Sequence, residues 1–335
     1  MKNDRQRVMA GAWVALARHS NRVDIGRVVR SRDPRVPVSS LGKHALVGLG
    51  LSPKLAGVVA SEADQPMGCD WLTACSSEYP SALMALPHPP AVIWIHGDTS
   101  LLGHVSVAVV GSRSCTSYGR SVAKSVAGTV LASGGVVVSG GARGIDQAAH
   151  DVALAKTIVV LGCGLLHPSA RKWVRWVADN GGLLVSEFHP TQPPTRWSFP
   201  QRNRIIAALS VGTVVVEAGL RSGATITARK AMEMNREVFA VPGRIDAPAS
   251  QGTNRLIASG ANCLVSTGEI VELLATRVKD SQRIVSAVSQ PATVGEISAR
   301  LAISISETCQ WLSLLESSGA VVRAQGGRYQ LSTFR

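Results

Sequence analysis

From residue 105 onward, short apolar runs alternate with longer segments whose apolar residues recur at helical spacing. The apolar runs predict strands at Val105–Val110, Val136–Ser139, Thr157–Leu161, Leu183–Ser186, Thr213–Val216, Glu237–Val241 and Cys263–Ser266. The segments between them predict helices at 118–133, 145–155, 169–180, 201–209, 224–234 and 268–275. Continuous Val, Ile and Leu strands spaced by helices are typical of a parallel sheet covered on both faces. The pattern therefore predicts an α/β fold with a doubly wound, mostly parallel sheet.

The pattern changes after an interruption near Asp280. Helical spacing returns in three short segments, and the apolar runs Val321–Arg323 and Tyr329–Leu331 flank Gly326-Gly327 as the strands of a hairpin do. Three short helices followed by a hairpin predict a C-terminal winged-helix module.

The first 75 residues are predicted to form a small helical region with a basic excess. Amphipathic stretches around Trp13–Leu16 and Ala45–Val59 predict short helices. Residues 1–44 hold ten basic and three acidic side chains. This excess indicates either an accessory nucleic-acid contact or a solvated helical face. The chain thus divides into three predicted domains: 1–75, 76–276 and 280–335.

The composition is that of a globular protein with an acidic partner. Apolar residues make up 45% of the chain, and 35 Lys and Arg stand against 22 Asp and Glu, which gives a formal net charge of +13. Nucleic acid is the commonest partner of a surplus this large. The alternative explanation is solubility or a general arginine bias.

The six cysteines are scattered, as are the eight histidines. None of the cysteines forms a Cys-x-x-Cys pair, so the sequence predicts neither a zinc site nor a disulfide framework. They indicate small buried side chains in a reducing compartment. No apolar run approaches the ~20 residues of a membrane span, and none follows the Arg-rich N-terminus as in a signal peptide. We expect a soluble, cytoplasmic protein with no cofactor, no metal and no membrane association.

The candidate binding residues follow the predicted strands. In an open parallel sheet, ligands bind beyond the carboxyl ends of the strands. Nearly every loop at that edge carries Gly or Ser, which let backbone N–H groups approach an anion. Arginines at six positions join these loops and indicate a groove for a polyanion rather than a pocket for one nucleotide: Arg113, Arg143, Arg202, Arg204, Arg221 and Arg244. The candidate DNA-binding residues are Gly111, Ser112, Arg113, Ser139, Gly140, Arg143, Phe199, Arg202, Asn203, Arg204, Arg221 and Ser222.

Each of these residue types also has a structural explanation. Glycines after parallel strands often serve turn geometry alone, and loop arginines are often solvated. Glu217 would order Arg202 or Arg204 through a salt bridge, and a glutamate paired with Arg113 would hold two loops together. Phe199 belongs either to the core or to a platform on which a base stacks.

Familiar enzymatic motifs are absent from the sequence. Gly111-Ser-Arg113 stands where a Gly-x-Gly-x-x-Gly fingerprint would follow the first strand, and there is no Walker A loop and no Gly-x-Ser-x-Gly elbow. Asp146 and His150 share a helix face, either as an acid–base pair or as part of the helix packing. The alternative function is a nucleotide hydrolase of the lysine-decarboxylase-like (LOG) type, whose Pro-Gly-Gly-x-Gly-Thr loop is missing before Glu217. We therefore expect no catalytic activity.

Five strings of the predicted sheet domain occur in the order that one known family has. They are Val-Gly-Ser-Arg-Ser-Cys-Thr-Ser-Tyr-Gly (110–119), Val-Ser-Gly-Gly-Ala-Arg-Gly-Ile-Asp-Gln-Ala-Ala-His (138–150), Phe-Pro-Gln-Arg-Asn-Arg-Ile-Ile (199–206), Glu-Ala-Gly-Leu-Arg-Ser-Gly-Ala-Thr-Ile-Thr-Ala (217–228) and Val-Phe-Ala-Val-Pro-Gly (238–243). In these strings the chain resembles the DNA processing protein A family, also called DprA or Smf. The resemblance covers residues 78–275, and the last module resembles the family's winged helix.

The resemblance implies a Rossmann-like domain that binds single-stranded DNA, forms a homodimer and loads the RecA recombinase during natural transformation. By motif position, Arg113 and the loop Phe199–Arg204 would contact DNA. The predicted recognition helix of the winged helix, Ser306–Ser318, contains Glu307 and Glu316 but no Lys or Arg. We therefore expect this module to serve protein contact or core packing rather than DNA reading.

Overall fold

The computed structural model describes residues 69–74, 78–317 and 321–331. The amphipathic stretches and the basic excess predicted for the N-terminal region lie outside these described residues.

A single mixed sheet forms the centre of the described part of the chain. Its strands are β1 Asp70–Thr73, β2 Val92–Gly97, β3 Ser106–Val110, β4 Val136–Gly140, β5 Thr157–Val160, β6 Leu183–Ser186, β7 Gly212–Val215, β8 Glu237–Ala240 and β9 Asn262–Cys263. Their order across the sheet is β1-β2-β6-β5-β4-β3-β7-β8-β9. Strands β3 to β9 run parallel, and β2 pairs antiparallel with β1 and β6. The predicted doubly wound, mostly parallel sheet is confirmed.

Helices cover both faces of the sheet. They are α1 Ser81–Met84, α2 Ser117–Ala132, α3 Ile145–Ala153, α4 Arg171–Asn180, α5 Ser198–Leu209, α6 Gly223–Glu233, α7 Gln251–Ala258 and α8 Gly268–Ala287. On one face, α5 and α6 bury Ile205 and Ala228. On the other face, α2 and α8 bury Val126 and Ile270. Every residue of β3 is buried, and only helices on both sides can complete such a core.

Three features differ from the sequence-based expectation. Strand β1 lies ahead of the predicted boundary at residue 76, because a four-residue edge strand leaves no periodic signal. Helix α7 was not predicted, since its buried residues are only Gly252, Thr253 and Leu256. Helix α8 continues through Asp280, where an interruption was expected, because no Pro or Gly stops it there.

The C-terminal elements enclose a core of their own. After α8 come α9 Val294–Leu301, α10 Ile305–Ser317 and the antiparallel strands β10 Val321–Arg323 and β11 Tyr329–Leu331. These elements share a buried cluster that includes Ile284, Trp311 and Tyr329. Helix α10 also lies against α1 of the sheet domain. The helices and the hairpin agree with the expected elements, and the assignment as a winged helix stays a prediction.

Two glycines offer a matched test of this backbone. Gly97 has a φ of +110°, and a Cβ there would collide with the carbonyl oxygen of Gly182, whereas a Cβ on Gly128 in α2 would meet nothing within 4 Å. We expect Gly97→Ala to lower the unfolding free energy by more than ~1 kcal/mol, and with it the melting temperature. Gly128→Ala should raise the unfolding free energy by up to ~1 kcal/mol, because alanine is the better helix former. Thermal unfolding of the two variants checks this, and equal shifts would contradict the described backbone.

Candidate nucleic-acid interface

The strand order places the predicted loops side by side along the carboxyl edge of the sheet. Chain connections run from β3 in one direction through β4 and β5, and in the other direction through β7 and β8. The strand order therefore reverses between β3 and β7, which is where doubly wound sheets bind their ligands. The loop of Arg113 follows β3 at this point, and the loop of Arg221 follows β7 beside it.

The loop after β3 is held tightly at its base. Ser112 donates its backbone N–H to the carbonyl of Glu217 at 2.8 Å and accepts from the N–H of Ile145 at 3.2 Å. A Cβ on Gly111 would lie 2.6 Å from the Ile145 side chain, so only glycine fits. These contacts give Gly111 and Ser112 a structural role, and they fix the position from which Arg113 extends.

Arg113 and Phe199 come from different loops and meet at this edge. The Arg113 side chain is exposed, and its guanidinium carbon lies 5.1 Å from the centroid of the Phe199 ring. That distance is within the range of a cation–π contact. The Phe199 ring is half-buried and lies over Gly162, where a Cβ would come within 2.9 Å of it. The structure thus places two predicted site residues together.

Arg202 and Asn203 are buried, contrary to their predicted place in an open groove. Arg202 donates to the Val160 carbonyl and, at 3.2 Å, to Oδ1 of Asn203. Asn203 in turn donates to the Gly223 carbonyl at 3.1 Å. Both side chains therefore tie α5 to neighbouring elements, and their contact with DNA stays a prediction that the observed burial disfavours.

The Arg202 guanidinium lies beside the carboxylate of Asp146. A Cβ on Gly140 would lie 2.7 Å from both terminal nitrogens of Arg202 and from Oδ2 of Asp146, so this glycine leaves room for the pair. Burial raises the pKa of Asp146 to about 7, while Arg202 and the N–H groups of Gly111 and Ala142 act in the opposite direction. Burial lowers the pKa of Arg202 to about 10, so the guanidinium is charged at neutral pH. The pair is an internal support of the edge.

The Arg204 side chain is paired with a carboxylate. Its Nη2 forms an ion pair with Oε2 of Glu187, and the two side chains are only 17% and 7% exposed. Of the alternatives left open by the sequence, a glutamate that orders an arginine is therefore the one observed for Arg204. The glutamate is Glu187 rather than the expected Glu217.

Glu217 instead covers the N-terminus of α2. Its carboxylate accepts the backbone N–H of Thr116 at 2.9 Å and the Thr116 hydroxyl at 2.5 Å. A Cβ on Gly119 would collide with the same carboxylate, so the carboxylate lies directly against the backbone of the first turn of α2. In doubly wound folds the N-terminus of this helix is where a nucleotide phosphate binds. Here the protein's own carboxylate takes that position.

The remaining predicted residues divide into exposed arginines and residues of the framework. Arg143 and Arg221 are exposed in the loops on either side of Arg113. Ser139 and Gly140 are buried in β4, where the Ser139 hydroxyl donates to the Val109 carbonyl at 2.5 Å. Ser222 caps α6 by accepting the Ala224 N–H.

Asp146 and His150 have separate partners. The His150 ring is fully buried, with Nδ1 2.8 Å from the Thr157 hydroxyl and Nε2 3.0 Å from the Gly140 carbonyl. Burial lowers the pKa of His150 to about 4, so the ring is neutral at physiological pH. Of the two readings left open for this helix face, the geometry fits packing.

Sequence reasoning missed Arg196 and Trp197, which precede α5. The indole of Trp197 is 68% exposed, and the Arg196 guanidinium lies 4.9 Å from its ring. The structure places Trp197 at the N-cap of α5, which tryptophan does not favour, but the helix predicted from the sequence starts only at residue 201, so periodicity offered no such signal.

Two further properties concern the described residues only. They contain no group of three or more His, Cys, Asp or Glu side chains that is placed to hold a metal ion. None of their helices combines the length and the apolar character that a membrane span requires.

Comparison with known proteins extends the resemblance seen in the sequence. Residues 70–275 match the family described as DNA recombination-mediator protein A. Protein Smf of Escherichia coli is 44% identical over 211 residues, which is 61% of this chain but only 56% of that protein. The DNA processing protein DprA of Bacillus subtilis is 38% identical over 232 residues, or 67% of this chain and 77% of the relative.

Solved structures agree with these matches. The X-ray structure of DprA from Streptococcus pneumoniae has a TM-score of 0.62 at 35% identity and covers 69% of this chain and 85% of its own. DprA from Helicobacter pylori, described for its single-stranded DNA binding mode, has a TM-score of 0.56 at 32% identity and covers 64% of this chain and 98% of its own. The predicted resemblance is confirmed: this chain belongs to the DNA recombination-mediator protein A family.

Proposed function

We propose that this protein binds single-stranded DNA along the carboxyl edge of its sheet and loads RecA recombinase onto the strand in natural transformation or other DNA recombination. One observation carries the DNA-binding part: the exposed Arg113 guanidinium stacks on Phe199 where the strand order reverses. A guanidinium fork suits phosphate oxygens, and an aromatic face suits an unstacked base. A nucleotide of an open strand presents both groups together.

The neighbouring loops support a strand rather than a single phosphate. Exposed Arg143 follows β4 and exposed Arg221 follows β7, so the two flank Arg113 along the edge. A row of cations of this kind neutralises successive phosphates of a polyanion. Arg244, after β8, is already paired with Asp246 at 2.7 Å, so we assign it no phosphate.

The position of Glu217 argues against the alternative, a LOG-like nucleotide hydrolase. A mononucleotide site on this fold would place phosphate at the N-terminus of α2, where the Glu217 carboxylate already accepts the Thr116 N–H. A second anion there would be repelled. We therefore favour binding outside that position, at the exposed arginines.

The partners in this proposal are inferred from the family. A recombination mediator holds the strand and presents it to a recombinase. We propose that this protein is the mediator, that RecA is the recombinase, and that the two meet in the cytoplasm. Homodimer formation is part of the same proposal, and the Helicobacter pylori relative supports the choice of single-stranded DNA.

The decisive experiment compares single-stranded with double-stranded oligonucleotides of one length by electrophoretic shift, beside a nucleotide-release assay. We expect tighter binding of the single strand, with no nucleotide released. Three to five phosphate contacts would give a slope of log affinity against log salt of roughly −2 to −3.5. Equal or tighter binding of the duplex would refute the proposal, and nucleotide release would favour the hydrolase.

Arg113→Ala should weaken single-strand binding by ~1–2 kcal/mol, because one phosphate contact is lost. The salt slope should become shallower by about 0.7, with the melting temperature nearly unchanged. Titrations at several salt concentrations measure both quantities. Arg175→Ala is the matched control, since Arg175 is 87% exposed on α4, away from the edge. A variant that binds as wild type does would remove Arg113 from the site.

Arg202→Met should act on stability instead. It removes the buried hydrogen bonds to the Val160 carbonyl and to Oδ1 of Asn203, and each buried acceptor left without a donor costs ~1–3 kcal/mol. It also takes the guanidinium away from the buried Asp146 carboxyl, whose pKa would then rise further. We expect the melting temperature to fall by roughly 10 °C, as measured by circular dichroism. Arg113→Met, the same change on an exposed arginine, should leave the melting temperature nearly constant. If Arg202→Met lost DNA affinity without loss of stability, Arg202 would be a direct contact after all.

A further inference from the structure

Neither burial nor helix capping explains the aromatic side chain of Trp197. Its indole is 68% exposed, and its side chain makes no capping hydrogen bond to α5, at whose N-cap it stands. Leaving a large aromatic surface in water is unfavourable, and Ser, Thr, Asp or Asn would cap the helix better. Neither core packing nor helix formation therefore accounts for tryptophan at this position.

The backbone around Trp197 is nevertheless held firmly. Thr195 and Ser198 exchange hydrogen bonds, the Thr195 N–H to the Ser198 hydroxyl at 2.9 Å and the Ser198 N–H to the Thr195 hydroxyl at 3.1 Å. The buried Ser198 hydroxyl also donates to the Gly162 carbonyl at 2.6 Å, which anchors the turn to the loop after β5. The indole is thus presented to solvent from a fixed turn.

The chemistry beside the indole selects the class of ligand. The Arg196 guanidinium lies 4.9 Å from the ring, so a flat apolar face and a cation stand together. The rest of this loop offers Thr191, Gln192 and Thr195 rather than large aliphatic side chains. A protein partner would need roughly 800 Å² of complementary surface on each side, which one indole does not supply. A base with its phosphate needs only the ring and the cation.

We propose that Trp197 and Arg196 form a second base-stacking platform for single-stranded DNA, separate from Phe199 and beyond it along the strand. Residues two apart at the start of a helix point in widely different directions, so Trp197 and Phe199 cannot hold the same base. Phe199 faces Arg113 and Gly162 at the middle of the edge, whereas Trp197 stands at the end of the loop after β6, beside Arg196. This inference rests on the proposed function and lengthens its site.

The test compares strands of one length with and without bases. We expect Trp197→Ala to weaken binding of a 12-nucleotide oligo-dT by about tenfold, because one stacked base is lost, and Trp197→Phe to restore most of it. A strand of abasic sites of the same length should bind wild type and Trp197→Ala equally, because it offers phosphates but no bases. Oligo-dT should also quench wild-type tryptophan emission more than emission of Trp197→Phe.

Stability and a matched control complete the design. The melting temperature of Trp197→Ala should equal that of wild type, since Trp197 is largely exposed and belongs to none of the buried clusters of the described residues. Leu154→Ala removes an exposed apolar side chain at the opposite edge of the sheet and should bind oligo-dT as wild type does. If wild type binds no single strand, the proposed function fails. If wild type binds and Trp197→Ala binds equally well, or differs only in self-association, the platform alone is overturned.

Discussion

The buried guanidinium of Arg202 supports the whole carboxyl edge. It joins α5 to β5 through the Val160 carbonyl and lies beside Asp146 at the start of α3, so two helices and a strand converge on one charge. A charge taken out of water is costly unless its hydrogen bonds are satisfied. A chain that buries an arginine is therefore stable only in a conformation that supplies those hydrogen bonds. The start of α5, with Phe199 and Trp197, is therefore placed by an interaction that never reaches solvent.

The edge contains two kinds of position that favour an anion. At one kind a carboxylate of the protein is already present, and at the other kind an arginine is exposed. The Glu217 carboxylate covers the N-terminus of α2, and the Glu187 carboxylate forms an ion pair with Arg204, so each of these two positive positions already has a protein carboxylate beside it. Arg113, Arg143 and Arg221 stay exposed. Interior carboxylates thus set the shape of the edge, and exposed guanidinium groups set its charge. This division favours an extended polyanion over a single bound nucleotide.

The sheet could be predicted because each central strand is a continuous apolar run, and the place of Arg113 followed from the end of β3. The burial of Arg202 was harder to foresee, since an arginine in a polar string suggests solvent. A signal did exist: Arg202 and Ile206 lie four apart, on one face of α5, so the apolar face of the helix includes the arginine. Strand β1 and helix α7 carry too few apolar residues to be predicted from periodicity.

The stacking of Arg113 on Phe199 has a consequence for the lifetime of a complex. A free arginine side chain gives up about 2 kcal/mol of rotamer entropy when it is immobilised. In this protein the ring already restricts the guanidinium before any ligand arrives, so part of that loss is incurred during folding. Preorganisation of this kind leaves the encounter rate nearly unchanged and acts on dissociation. In the proposed complex with single-stranded DNA, the contact would thus prolong residence on the strand, as the proposed transfer of that strand to a recombinase requires.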